Sequence, residues 1–215
     1  MKKFKTLFFD LDATLYPASN GLWETIKNRI SGYMIKRMGL PAEQVPGLRQ
    51  KYYQTYGTTL SGLRKHYKVN PEDYLNYVHN IPLADYLSPD PQLRAMLESL
   101  PQNLWVFTNS DEPHAKRVLS ALGIEDLFDG VADLYALDFQ IKPNPQAYRR
   151  TLELAGNPDP QTCVLFDDLA PNLVTAQKMG FYTVFVTKDG SQIKADLHIQ
   201  DLLELPAKMP GLWDR

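Results

Sequence analysis

Apolar positions along the chain fall into two alternating patterns. Residues 6–9, 104–108, 163–166 and 182–187 are short runs in which nearly every position is apolar or β-branched. Runs this short and continuous predict strands buried on both faces, as in a parallel sheet covered by helices. Residues 130–137 hold a further short strand on the same reasoning. Between the runs, apolar residues return at helical spacing over residues 91–100, 113–122, 145–155 and 171–179. Each of these segments opens on a proline, and Gly123, Gly156 and Gly180 follow three of them. Proline suits the first turn of a helix, and glycine the left-handed residue just past its end. The alternation predicts an α/β fold with a doubly wound, Rossmann-like parallel sheet.

Residues 18–87 break the rhythm. Leu22, Ile26, Ile30 and Met34 recur every four positions and form one apolar helix face. Shorter helices are expected over residues 42–56, 60–67 and 71–79, with no convincing strand among them. Tyr33, Tyr52, Tyr53, Tyr56, Tyr67, Tyr74 and Tyr77 are concentrated here, and Pro82, Pro89 and Pro91 mark the return to the first rhythm. The expected organisation is an α/β core of residues 1–17 and 88–215, with a small all-helical domain of residues 18–87 inserted after the first strand.

Composition narrows the picture. A chain of 215 residues has room for one good core and a small accessory domain. With 44% apolar and 22% charged residues it is not a disordered chain. A net charge of -2 lacks the basic surplus of a nucleic-acid binder, so no nucleic-acid partner is expected. Asp10 ends the first apolar run too soon for a secretion signal, and no run approaches the roughly 20 apolar residues of a membrane span. A cytoplasmic protein without a membrane partner is the expectation. The single cysteine, Cys163, cannot form an internal disulfide and reads as a buried strand thiol.

Four clusters carry candidate chemistry. Asp10-Leu11-Asp12-Ala13-Thr14 follows the first strand directly. Alternate residues of an extended chain point the same way, so Asp10 and Asp12 are expected to face one site with Leu11 turned into the core. Phe166-Asp167-Asp168-Leu169 brings two more carboxylates to the end of another strand. Either cluster alone could be an acidic turn, but so much like charge at one sheet edge calls for a cation, and oxygen ligands suit Mg2+. Thr108-Asn109-Ser110 offers a hydroxyl and amides just before a helix, which suits phosphate oxygens and is also ordinary turn chemistry. Lys142, stiffened by Pro143 and Pro145, offers a positive charge that offsets the carboxylates.

In this order, Asp-x-Asp-x-Thr, then Thr108, then Lys142-Pro143, then Asp167-Asp168, the clusters resemble the four motifs of the haloacid dehalogenase-like hydrolases over nearly the whole chain. The helical insertion resembles the cap of that superfamily's subfamily I. Leu15-Tyr16-Pro17 followed by Gly21-Leu22-Trp23, residues 56–63, residues 79–83, and Asn172 after Phe166-Asp167-Asp168 are similar to the pyrimidine 5'-nucleotidase branch. The resemblance implies a magnesium-dependent phosphomonoester hydrolase that works through an aspartyl-phosphate on pyrimidine nucleoside 5'-monophosphates. A sugar-phosphate phosphatase or phosphomutase is the alternative, with a non-catalytic phosphate-binding module behind it; Asp12 argues against a dehalogenase.

The resemblance also implies roles. Asp10 is the nucleophile, and Asp12 the acid and base that serves the leaving group and then the water. Mg2+ is held by Asp10, Asp168 and the backbone carbonyl of Asp12, with Asp167 reaching it through water. Thr108 and the Asn109 amide hold phosphate oxygens, and Lys142 neutralises charge on the nucleophile and on the phosphoryl group. Asn172 stands where many relatives carry an acid and is expected to orient Lys142 or its loop. The cap closes over the site, with Gly57-Thr58-Thr59 and tyrosines near the leaving group. The partner is a small phosphorylated metabolite, a nucleotide, and the protein is a monomer or weak homodimer. His114 reads as a helix-face residue near the phosphate loop.

Overall fold

A computed structural model describes residues 3–188 and 193–214 of the chain. In chain order the elements are β1 (Thr6–Phe9), α1 (Leu22–Lys36), α2 (Val45–Tyr56), α3 (Thr59–Tyr67), α4 (Pro71–His79), α5 (Pro91–Glu98), β2 (Asn103–Phe107), α6 (Glu112–Leu122), β3 (Gly130–Ala132), α7 (Pro145–Leu154), β4 (Cys163–Asp167), α8 (Ala170–Lys178), β5 (Tyr182–Val186), β6 (Leu197–Ile199) and the single turn α9 (Leu205–Lys208). No helix among the described residues is long and apolar enough to cross a membrane. The chain forms two compact units, one running to Ser19 and resuming at Leu87, the other spanning Asn20–Tyr86.

The first unit is built on one six-stranded sheet of order β3-β2-β1-β4-β5-β6, in which every pairing is parallel. Parallel neighbours need a crossover, and α6, α7 and α8 supply crossovers between successive strands. The side chains of β1 and β4 are all buried, which is why these strands read as unbroken apolar runs. On one face Phe8, Phe107, Leu165 and Phe185 pack with Ala147, Tyr148 and Leu152 of α7 and Leu173 and Ala176 of α8. On the other, Phe9 stacks on Phe166 with ring centroids 4.5 Å apart. Strand order reverses between β1 and β4: β2 and β3 extend the sheet to one side of β1, and β4 returns to the other. A crevice opens beyond the carboxyl ends of strands at such a reversal, and ligands of open α/β sheets bind there. Asp10 and Asp167 stand at this point, joined by the Asp10 N–H donating to the Phe166 carbonyl at 2.8 Å.

The second unit holds α1 to α4. Thr58 caps α3 by accepting from the Ser61 N–H, and Asn70 caps α4 by accepting from Glu72 and Asp73. Tyr33, Tyr52 and Tyr74 are buried, Tyr33 donating to Asp73 Oδ2 at 2.8 Å and meeting Tyr74 edge to face. Three of the tyrosines picked out in the sequence are therefore the helical unit's own interior. Tyr53 and Tyr67 are exposed.

Candidate active site

Lys142 is the centre of the site. Its side chain is 1% exposed, and its ammonium donates to Asp10 Oδ1 at 2.7 Å, to Asp167 Oδ2 at 2.8 Å and to the Phe107 carbonyl at 2.7 Å. All three N–H bonds are thus engaged. Burial alone would lower the lysine's pKa, but Asp10 and Asp167 outweigh it and hold the ammonium charged. The loop carrying Lys142 is tied to the end of β2 by a reciprocal pair: Asn109 Nδ2 donates to the Lys142 carbonyl at 3.0 Å, and the Lys142 N–H donates to Asn109 Oδ1 at 2.8 Å. The Asn109 side chain is therefore committed to the backbone of the lysine's loop. Thr108 Oγ1 accepts from the Ser110 N–H at 3.0 Å, and a hydroxyl that accepts still has its own proton to donate.

Asp167 is fully buried as the last residue of β4. Besides Lys142 it accepts from Asn172 Nδ2, at 2.9 Å and 3.0 Å to its two oxygens, and from the Leu169 N–H at 2.8 Å. The Tyr148 hydroxyl donates to the Asn172 carbonyl at 2.7 Å and steadies the start of α8. Asn172 acts on Asp167, and through Asp167 on the lysine.

Oxygens of Asp10, Asp167 and Asp168 lie within 4.8 Å of one another, the one group among the described residues with this spacing. The donors are all carboxylate oxygens, as a hard divalent cation requires. Asp167 already accepts four hydrogen bonds, which favours Asp10 and Asp168 as direct ligands. Burial, then the charge of Asp167, pushes the Asp168 carboxyl from 3.8 up to about 7, with Lys142 opposing. Asp10 is likewise pushed well up, by burial first and by Asp167 and Asp168, against the pull of Lys142. One ammonium does not balance three carboxylates, and Mg2+ fits the residues present.

Asp12 is placed differently from the sequence expectation. The chain does not continue extended past Asp10: the Leu15 N–H donates to the Leu11 carbonyl at 3.1 Å, and Ala13 has φ 68°. Leu11 is buried as expected. The Asp12 carboxyl lies outside the three-carboxylate group and accepts at Oδ1 from the Tyr16 hydroxyl at 2.6 Å, with His114 Nε2 3.0 Å from the same oxygen. Its part at the cation would fall to its backbone carbonyl.

Residues 4–180 match the haloacid dehalogenase-like hydrolase family. The chain belongs to that family. It is 31% identical over 234 residues to phosphate metabolism protein 8 of Saccharomyces cerevisiae, covering 95% of this chain and 72% of the relative. A phosphatase of the haloacid dehalogenase family from Thermococcus onnurineus superposes with TM-score 0.68 at 19% identity, over 95% of this chain and 97% of that one. The putative hydrolase YfnB from Bacillus subtilis, bound to magnesium, superposes with TM-score 0.66 at 16% identity, over 96% and 98%.

Within the haloacid dehalogenase-like framework, sequence reasoning missed two site residues of this chain. Tyr16 entered only as part of a branch pattern, and His114 read as a helix-face residue. His114 is 1% exposed in the first turn of α6 and faces Asp12. Its place so soon after Thr108-Asn109-Ser110, at the sheet edge where ligands bind, was the signal that could have found it.

The raised Asp168 pKa carries a pH dependence. A carboxyl whose folded pKa exceeds its unfolded value keeps an extra proton in the folded state between the two. Stability of the metal-free protein therefore falls as pH rises from 3.8 towards about 7. A cation needs the ionised form. The rise in melting temperature on adding Mg2+ is expected to be small near about pH 5 and several times larger near about pH 8. Calorimetric melts across that range check it, and an increment independent of pH would remove Asp168 from the ligand set.

Proposed function

We propose that this hydrolase is a magnesium-dependent phosphomonoesterase that forms an aspartyl-phosphate on Asp10, with pyrimidine nucleoside 5'-monophosphates as its substrates. The observation that carries the reading is the buried Lys142 ammonium bridging Asp10 and Asp167 beside Asp168, at the reversal point of the sheet. Such a centre sets the candidate nucleophile beside a fixed positive charge and gathers positive charge where a phosphoryl group would bring negative charge.

Asp10 would attack phosphorus as the bond to the leaving oxygen breaks, and Asp12 would give that oxygen a proton. Asp12, now ionised, would take a proton from the water whose oxygen displaces Asp10 from phosphorus, releasing inorganic phosphate and restoring both carboxyls. Thr108 and the Asn109 backbone amide would hold the non-bridging oxygens. Mg2+, on Asp10, Asp168 and the Asp12 carbonyl, would supply further neutralisation of the phosphoryl oxygens.

Support for a phosphorylated substrate comes from the yeast relative, whose name places it in phosphate metabolism, and for magnesium from the Bacillus subtilis neighbour. A cavity of about 480 Å³ beside Asp168, lined in part by Tyr16, Leu93, Leu169, Val186 and Leu202, has the volume of a small-ligand site. The nucleotide preference rests on the sequence pattern of Leu15-Tyr16-Pro17, Gly21-Leu22-Trp23 and Asn172.

The test is phosphate release in the presence of Mg2+ from a panel of nucleoside monophosphates and sugar phosphates, with Asp10→Asn as blank. Preference for UMP or CMP supports the full reading. Preference for a sugar phosphate keeps the chemistry and overturns the substrate. Release that persists in excess chelator overturns the role of magnesium, and no release from any compound overturns the phosphomonoesterase.

A further inference from the structure

Two buried rings meet the carboxyl of Asp12 at the same oxygen. Tyr16 reaches Oδ1 from the turn after β1, and His114 reaches it from the first turn of α6, 102 positions along the chain. Both side chains lie in the interior of the α/β unit. A neutral phenol bonded to a carboxylate must donate. The Tyr16 hydroxyl lies 2.6 Å from Oδ1 and is the donor of that contact. An ionised Asp12 has no proton to give, so His114 Nε2 must carry the hydrogen of that contact, and the Nε2–H tautomer follows.

We infer that Tyr16 and His114 are positioning residues for proton transfer by Asp12: by donating together to Oδ1 they make Oδ2 the oxygen that gives up and takes back the proton. This rests on the phosphomonoesterase reading. A carboxyl has two chemically equivalent oxygens and rotates about its Cβ–Cγ bond. A general acid works only when its O–H lies within about 2.6–3.2 Å of the oxygen it serves. A proton on Oδ1 would have to displace one of two donors that arrive from separate elements of the fold. With Oδ1 occupied, the proton leaves Oδ2 for the leaving oxygen as the Asp10–phosphorus bond forms. Oδ2 then takes a proton from the attacking water as that bond breaks. Neither ring needs to touch the substrate or exchange a proton.

Leaving groups of different basicity separate this role from a merely structural one. The leaving oxygen of p-nitrophenyl phosphate departs as a stable anion, whereas that of a nucleoside 5'-monophosphate needs a proton. Tyr16→Phe removes one oxygen from a buried ring. His114→Gln returns an N–H near the position of Nε2, and His114→Leu does not. For Tyr16→Phe and His114→Leu, kcat/KM, which reports only the steps through expulsion of the leaving group, is expected to fall roughly 10–100-fold on the nucleotide relative to the aryl ester. His114→Gln should recover most of that ratio.

Equal losses on the two esters, or no loss, overturn the inference while wild-type turnover keeps the phosphomonoesterase reading. Failure of the wild type on both esters sinks that reading, and the inference with it. Nitrogen-15 NMR of His114 gives a measure independent of turnover. A protonated Nε2 whose signal moves in Asp12→Ala is expected, and protonation at Nδ1 alone overturns the donor assignment.

Discussion

Asp10→Asn is expected to lower kcat at least ~10⁴-fold, the scale on which the loss of a covalent nucleophile is felt, while the protein melts within a few degrees of wild type. The substitution is nearly isosteric. Asparagine Oδ1 can still accept from the Lys142 ammonium, which lies 2.7 Å from Asp10 Oδ1. Removing one negative charge also relieves repulsion with Asp167 and Asp168, both of which push the Asp10 carboxyl up. What disappears is the anionic oxygen that would bond to phosphorus, and the neighbouring carboxylates are otherwise engaged, Asp168 as the expected cation ligand. Asp167 is bonded on both oxygens, and Asp12 Oδ1 is bonded to Tyr16 and His114. Single-turnover phosphate release together with a thermal melt checks both halves. Turnover near the wild-type rate would remove Asp10 from the nucleophile's place.

Lys142→Met should act the other way, on stability and activity together. Methionine keeps much of the length of the stem and loses the ammonium. Asp10, Asp167 and the Phe107 carbonyl then face one another without the only cation bonded to them among the described residues. Breaking a buried ion pair from one side costs about 3–5 kcal/mol, far more than an exposed pair would. The orphaned carboxyls escape by taking up protons, so the loss in metal-free protein should be largest near about pH 8 and shrink towards about pH 5. A protonated Asp10 is no nucleophile, so turnover should fall with stability. Urea denaturation of both proteins at the two pH values measures the effect. Equal stability at the higher pH would mean that the lysine is not the keystone its three bonds imply.

Much of the fold was legible in the sequence because burial on both faces leaves a signature that needs no partner to be read. The run at residues 163–166 became β4, Cys163–Asp167, and the pattern over residues 145–155 became α7, Pro145–Leu154. Where burial is one-sided the signature fades. β6, Leu197–Ile199, went unseen because it is a three-residue edge strand with His198 exposed, and its pairing with β5 is what makes it a strand.

The chemistry divides in the same way. The sequence by itself determined which residues stand at the carboxyl ends of the strands: Asp10 after β1, Thr108 after β2 and Asp167 closing β4. Strand ends follow from local patterning, and a parallel α/β sheet places them on one edge. Only the tertiary structure decided how those groups are shared. It buried Lys142 against carboxylates 132 and 25 positions away, tied Asn109 to the lysine's backbone, and set Asn172 on Asp167. It also bonded Asp12, beside the carboxylate cluster, to Tyr16 and His114. The reason is that hydrogen bonds act over about 3 Å of space, whatever the separation in sequence. Which donor meets which oxygen is set by the packing of β1, β2, β4, α6 and α8 around one reversal in strand order.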